Sequence, residues 1–289
     1  MTFGQLQIFA TVAQLRGFTP AAQRLEISQS AVSHGIKTLE TELNAQLFTR
    51  SSTQVELTEL GQRLLYRARE ILSLQETIHQ EAADFIGIKS GSLRIGSFGL
   101  SSSLHILPPI LKAFRQQYPN IDVYIEEGPD EEVIQWIQER RVDIGFIVLP
   151  DERFISHSLV KDRFVALVHP SSPLADCESV ELEALCNHSF IMTEADSAGI
   201  IGGLFKKAGL RPKIQFRTSQ VMSTLAMVSA NEGAAIVAEM VLPKDYPMDN
   251  CLVKPLSPSV ERSVGLALHS DGQASPAAKA FIKTACSLV

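Results

Sequence analysis

Leu6, Phe9, Ala10 and Ala13 recur three or four positions apart, which predicts an amphipathic helix over about residues 3–15. Ala21, Ala22 and Leu25 then give a second, shorter apolar stripe. Val32, Ile36, Leu39 and Leu43 give a third at 4-3-4 spacing. Thr19 followed by Pro20 reads as an N-cap and N1 pair, because a proline at N1 lacks only a donor that would have no partner anyway. Ser28 reads as the N-cap of the next helix. The pattern predicts two short helices joined by a tight turn, with Gln29, Ser30, Ser33, His34 and Lys37 facing away from the core. Such a polar face suits the DNA major groove, with the early residues of the second helix at base edges. By spacing alone it suits an ordinary αα-hairpin with a solvated face equally well.

Asn44 stands just past the third stripe, where a left-handed C-cap is expected. From Leu47-Phe48 to Leu57 the chain reads as a wing, a short β-excursion with Arg50 as its natural phosphate contact. Thr58 caps a long helix predicted from about Glu59 to Ile88, a rod of roughly 45 Å. Leu60, Leu64, Ala68, Ile71, Leu74 or Gln75, Ile78, Ala82 and Phe85 follow a near-heptad rhythm along it. A helix this long must bury its stripe, against a second copy of itself or against its own C-terminal domain. The copy is the simpler partner and makes Leu64, Ile71, Ile78 and Phe85 the dimerisation seam.

After Gly91 strands and helices alternate: strand Leu93–Gly96, helix Leu104–Gln117, strand Ile121–Ile125, helix Glu131–Arg140 and strand Val142–Val148. Short connections predict right-handed crossovers and a parallel sheet. A second lobe begins near Asp162-Arg163 with strand Phe164–Val168 and continues through Ser189–Met192, Ile214–Thr218 and Ala234–Val237. Ser263–Leu268 and helix Pro276–Ser287 lead back into the first lobe. The expected plan is a winged helix-turn-helix DNA-binding domain over 1–58, a linker and dimerisation helix over 59–89, and a two-lobed α/β domain over 90–289. Lobe I takes about 90–162 and 268–289, and lobe II about 163–267.

A chain of 289 residues with 45% apolar content has room for two or three packed units. It carries no uninterrupted apolar run long enough for a membrane span and no secretory signal pattern, so the cytoplasm is the expected compartment, with no membrane partner. Cys177, Cys186, Cys251 and Cys286 fit no zinc-ligand spacing and read as small buried hydrophobes. Neither a metal nor a cofactor is expected. The net charge is −6, and residues 1–58 balance Arg16, Arg24, Lys37 and Arg50 against Glu26, Glu40, Glu42 and Glu56. Phosphate neutralisation supplies non-specific affinity, so a neutral module must cluster its cations on one side and double its contacts by dimerising.

Leu6, Phe9, Gly17-Phe18-Thr19, Ala21-Ala22, Leu25, Ser28-Gln29, Ala31-Val32-Ser33, Ile36, Leu39-Glu40, Leu43, Leu47-Phe48, Arg50, Leu57-Thr58 and Gly61 resemble the N-terminal module of LysR-type transcriptional regulators. Val142-Asp143-Ile144-Gly145, Ser172-Pro173-Leu174-Ala175 and Ser275-Pro276-Ala277 resemble that family's effector domain, so the likeness covers essentially the whole chain. It implies a two-lobed, periplasmic-binding-protein-like effector domain and a homodimer or homotetramer on double-stranded promoter DNA. It also implies a small, anionic or carboxylate-bearing effector. Several positions depart from the family pattern. Ser30 stands where proline is common, His34 and Thr38 where arginine is common, Gly35 where glutamine is frequent, and Asn44 where glycine is usual. The wing tip, Ser51 to Gln54, lacks the usual basic residues, so an unusual target sequence and salt dependence are expected.

Base readout falls to Gln29, which can pair with adenine N6 and N7, and to Ser30 and Ser33. Lys37, Thr19, Arg50 and His34 fall nearer the backbone. Ser97-Phe98-Gly99-Leu100-Ser101-Ser102-Ser103 leads from a strand into a helix N-terminus, an arrangement suited to an anion. Ser97, Ser101, Ser102 and Ser103 are therefore the first-lobe candidates, with Gly128-Pro129, Phe146 and Ile147 as the wall. Thr193, Thr218, Ser219 and Gln220 oppose them from the second lobe, where open α/β folds bind ligands at strand ends. This set includes no arginine clamp, which favours a singly charged or neutral ligand over a polyphosphate. Three alternatives stay open. A thiol-switched regulator is disfavoured because no cysteine follows Phe190–Met192. A two-lobed enzyme is disfavoured because no G-x-S-x-G, H-E-x-x-H or P-loop pattern occurs. A transport-type binding protein is disfavoured by the N-terminal hairpin.

Overall fold

The computed structural model describes residues 1–50, 55–85, 89–99, 101–194, 198–242, 250–269 and 274–288, without the side chains of residues 50, 101 and 198. The N-terminal unit packs α1 (Phe3–Leu15), α2 (Phe18–Leu25) and α3 (Gln29–Leu43) around Leu6, Phe9, Val12, Ala21, Val32, Ile36 and Leu39. Thr2 caps α1 in a reciprocal pair with Gln5, and the Ser28 hydroxyl accepts the Ala31 N–H at 3.1 Å to start α3. Asn44 ends α3 in the left-handed conformation, φ 50° and ψ 39°. Two expectations fail here. Gly17 rather than Thr19 is the N-cap of α2, so Thr19 and Pro20 lie inside its first turn. Leu43 is 38% exposed, because the stripe leaves the core at the last turn.

Strands β1 (Phe48–Arg50) and β2 (Val55–Leu57) pair antiparallel as the wing. The expected basic-poor tip, Ser51 to Gln54, lies outside the described residues. Helix α4 (Glu59–Phe85) starts where the Thr58 hydroxyl accepts the Gly61 N–H at 2.9 Å. Its first turns, at Leu65 and Ala68, complete the N-terminal core, with Leu64 and Ile71 half-buried beside them. Further along it docks on the next domain through Arg69, Glu76 and Gln80. The expected heptad seam is thus divided: Leu60, Leu74, Ile78 and Phe85 are exposed, while Ala68 turns inward. The expected extension to Ile88 lies outside the described residues.

Lobe I holds β3 (Ser90–Phe98), α5 (Leu107–Gln117), β4 (Asn120–Gly128), α6 (Asp130–Gln138) and β5 (Ile144–Leu149). β4, β3 and β5 run parallel, as short crossovers require. β6 (Ile155–Val168) is the long shared strand: up to Arg163 it pairs within lobe I, and from Phe164 it pairs within lobe II. Lobe II adds β7 (Val180–Glu181), α7 (Leu182–Cys186), β8 (Ser189–Thr193), α8 (Ala198–Lys207) and β9 (Lys213–Thr218). It is completed by α9 (Val221–Ser229), β10 (Ala234–Ala238) and β11 (Leu252–Ser257). β12 (Glu261–Leu268) then runs antiparallel between β5 and β6, and α10 (Pro276–Cys286) packs on α5 through Phe281 and Phe114. The sheets are therefore mixed rather than parallel, because a chain that crosses twice brings β6 and β12 back in opposite senses. The return to lobe I falls at Glu261 and not near residue 268. Each lobe has its own apolar core.

Candidate DNA interface and effector cleft

One side of α3 is closed to solvent and the other is open. Val32, Gly35, Ile36 and Leu39 are buried, whereas Gln29, Ser30, His34 and Lys37 are exposed and Ser33 is half-buried. Gly35 is more than a tolerated weak helix former: a Cβ there would come within 2.8 Å of the Ile8 side chain, so its absence lets α1 and α3 close up. Among the described residues the polar groups of this face bond to their neighbours, Gln29 Nε2 to Ser33 Oγ at 3.1 Å and Ser30 Oγ with Ser28 Oγ at 2.9 Å. Thr19 is exposed, and the Arg50 side chain lies outside the described residues. Two of the four acids of the module are engaged within the protein. The Glu40 carboxylate accepts the Leu47 and Phe48 N–H groups at 2.7 and 3.3 Å, and Glu42 pairs with the N-terminal ammonium.

The serine cluster at the end of β3 forms, but not as an open anion site. Ser97 and Ser102 are fully buried; Ser97 Oγ lies 2.8 Å from both Ser102 Oγ and Ser103 Oγ. Ser102 donates to the Phe98 carbonyl at 2.6 Å, and Ser103 bonds to the Glu127 carboxylate. Each hydroxyl has one proton to donate. Ser102 and Ser103 direct theirs to Phe98 and Glu127, and Ser97 has one to share between the two, so none of these three O–H groups points free toward an anion. A nearby carboxylate opposes one as well. The Ser101 hydroxyl lies outside the described residues. Phe146 and Ile147 are wholly buried in the lobe I core and line no cleft, which corrects their assignment as wall residues. Gly128 has a packing reason to be glycine: a Cβ would meet the Trp136 ring at 2.6 Å.

In lobe II, Thr193 is 2% exposed and its Oγ1 has no hydrogen-bond partner among the described residues. Thr218 Oγ1 is satisfied by Thr224 Oγ1 at 2.6 Å, while Ser219 and Gln220 are exposed. The two lobes approach where α6 faces α8: a Cβ on Gly199 would stand 3.6 Å from the Glu131 carboxylate. None of the predicted effector residues lines a cavity of about 770 Å³ that sits on the hinge strands. Charge compensation there is dense. Arg262 Nε bonds to Asp162 Oδ2 at 2.9 Å, both side chains almost fully buried, and the Arg262 guanidinium lies near the Phe98 and Phe164 rings. Position in the pattern marked β6 as a crossing strand, but nothing marked Asp162 and Arg262 as its pin.

Burial pushes the Cys251 thiol up to about 11 and pushes Cys186 up as well, away from the thiolate that redox chemistry needs. Among the described residues no group of three His, Cys, Asp or Glu side chains could hold a metal ion, and no helix is long and apolar enough to cross a membrane.

A winged helix-turn-helix joined by one long helix to a two-lobed α/β domain defines a DNA-binding regulator with a small-molecule-type domain attached. Residues 3–62 match the bacterial regulatory helix-turn-helix protein, lysR family, and residues 87–286 match the LysR substrate binding domain. The chain belongs to the LysR family of transcriptional regulators, whose members are regulators rather than enzymes. It is 31% identical to the uncharacterized HTH-type transcriptional regulator YvbU of Bacillus subtilis, over 99% of this chain and 98% of the relative. It is 32% identical to the probable HTH-type transcriptional regulator LrrA of Synechococcus elongatus, over 98% and 95%. Among solved structures, a full-length OxyR from Pseudomonas aeruginosa, in a form with one cysteine replaced by aspartate, superposes with a TM-score of 0.75 at 22% identity, covering 99% of this chain and 94% of that one. Full-length CbnR complexed with its target DNA superposes at 0.65 and 23% identity, covering all of both chains.

Proposed function

We propose that two copies of this chain pair through α4 and set two α3 helices against successive major grooves of promoter DNA. The observation that carries this reading is the α3 face, exposed, short-chained and polar, with no tertiary partner for it among the described residues. Gln29, Ser30 and Ser33 read bases; Lys37, His34, Thr19 and Arg50 meet phosphates. Leu60, Leu74, Ile78 and Phe85, exposed along one rod, form the pairing seam of a homodimer, with a tetramer as its doubling. The setting is the cytoplasm. A small carboxylate-bearing effector enters the cleft between the lobes, with Thr193 Oγ1, which has no hydrogen-bond partner among the described residues, as its main side-chain contact and Ser219 at the rim. The test is fluorescence anisotropy with the DNA upstream of the protein's own gene. Gln29→Ala and Ser33→Arg each weaken binding at least tenfold with the fold intact; unchanged affinity places the reading surface elsewhere. In a thermal-shift screen of organic acids, hits at the cleft lose their stabilisation in Thr193→Val.

A further inference from the structure

We propose a second small-molecule site, at the hinge, that takes a monocarboxylate with an apolar body. A cavity of about 770 Å³ opens there, lined by His105, Lys161, Arg163, Glu239, Met240 and Val253 among others. That volume lies within the range of metabolite pockets. Its floor is pinned by the Asp162–Arg262 pair, and the bidentate Arg163–Glu239 pair at 2.7 and 2.9 Å closes one side, so these four charges are already neutralised. Lys161 has no ion-pair partner among the described residues, and the buried Nε2 of His105 has no hydrogen-bond partner there either. A carboxylate satisfies both donors. Met240, Leu242 and Val253, 39% exposed, supply the apolar surface for the rest of the molecule.

The walls come from both lobes. His105, Lys161 and Glu261 belong to lobe I, and Glu239, Met240, Leu242 and Val253 to lobe II. An occupant therefore touches both sides of the crossing strands and favours one lobe angle over another. The site shares no residue with the cleft candidates, so the two fail independently.

The experiment is isothermal titration of the full-length protein with sodium phenylacetate and sodium hexanoate at millimolar concentration, with phenylacetamide as the uncharged control. The expected result is saturable binding of at least one acid and at least tenfold weaker binding of the amide. Lys161→Ala weakens the acid at least tenfold, Met240→Trp fills the cavity and abolishes binding, and Thr193→Val leaves it within twofold. Absence of saturable binding overturns the proposal, as does binding that survives both hinge variants. Binding lost in Thr193→Val but kept in Met240→Trp also overturns it and assigns the acid to the cleft.

Discussion

Gly61 shows how one missing methyl fixes the junction of the DNA-reading unit and its rod. A Cβ there would stand 2.2 Å from the Leu47 carbonyl oxygen, a backbone atom that cannot swing aside. Gly61→Ala should destabilise the N-terminal unit by about 2–4 kcal/mol, seen as faster amide exchange in α1 to α3 with α5 and α6 unchanged. Asp162 is the matching pin between the lobes: its Oδ2 accepts Arg262 Nε, and its Oδ1 accepts the Arg163 and Met240 N–H groups at 2.8 and 3.1 Å. Asp162→Ala leaves a guanidinium buried without its carboxylate, at a cost of about 3–5 kcal/mol in denaturant unfolding. At the DNA face the charges are few, so each is visible. Lys37→Ala should reduce the slope of log affinity against log salt by about 1, equally for specific and unrelated DNA. A slope that does not move removes Lys37 from the phosphate contacts.

At the scale of elements, α4 joins two cores and still leaves a free seam. Its apolar rhythm was legible because spacing of three and four survives whatever the helix packs on. The assignment of faces was not, because Ala68 and Leu65 serve the N-terminal core while Leu74, Ile78 and Phe85 are exposed and join no core among the described residues. Gln80 escaped for the opposite reason. Polar side chains read as exposed, yet Gln80 is 2% exposed, donating to Ser92 O at 2.8 Å and accepting the Ala277 N–H at 3.1 Å. Gly91 leaves room for it. β11 was missed because Pro255 weakens a strand signal; in the structure it pairs opposite Val165 of β6. The serine loop was legible as a cluster, but the direction of its protons depends on Glu127, which arrives from another strand. Ile78→Asp puts a charge on the exposed seam and should convert the oligomer to a monomer by light scattering, with the monomer fold intact. Glu76 carries a pH dependence of its own. Burial pushes its carboxyl up, but hydrogen bonds from Gln80 and Ser92 prevail and hold it below the ordinary glutamate value. The stability it lends is complete above that ordinary value and disappears as pH falls through the lowered one. Wild type should therefore lose more stability than Glu76→Gln on acidification below about pH 4.3.

For the whole molecule, the proposed function requires that a ligand between the lobes reach α3. Among the described residues α4 is the long element shared by the reading unit and lobe I, and it is fastened at both ends of that span. Leu65 and Ala68 lie in the N-terminal core. Arg69 pairs with Glu139 at 2.7 Å, and Glu76 and Gln80 bind β3 and the start of α10. Gln14 Nε2 adds a contact from α1 to Glu126 at 3.2 Å. Reading unit, rod and lobe I are thus bonded to one another along α4, and β6 and β12 carry the chain between lobe I and lobe II. If two copies pair through α4 as proposed, a ligand that turns lobe II about β6 and β12 alters how the effector domains meet and so how far apart the α3 helices stand. Linkage between sites of this kind is typically worth about 1–3 kcal/mol, or roughly 5–150-fold. Weakening the fastening should reduce that factor without touching either binding surface. Gln80→Ala removes the bonds to Ser92 and Ala277 but no group at the DNA face, the cleft or the hinge cavity. Its ligand affinity without DNA and its DNA affinity without ligand should each stay within about twofold, while the ratio of ligand affinities with and without DNA falls toward one. The same ratio must be recovered from DNA affinities measured with and without ligand, since the coupling is reciprocal. A Gln80→Ala protein that keeps the full ratio shows that the signal bypasses α4, and the Gln14–Glu126 contact becomes the next bond to cut.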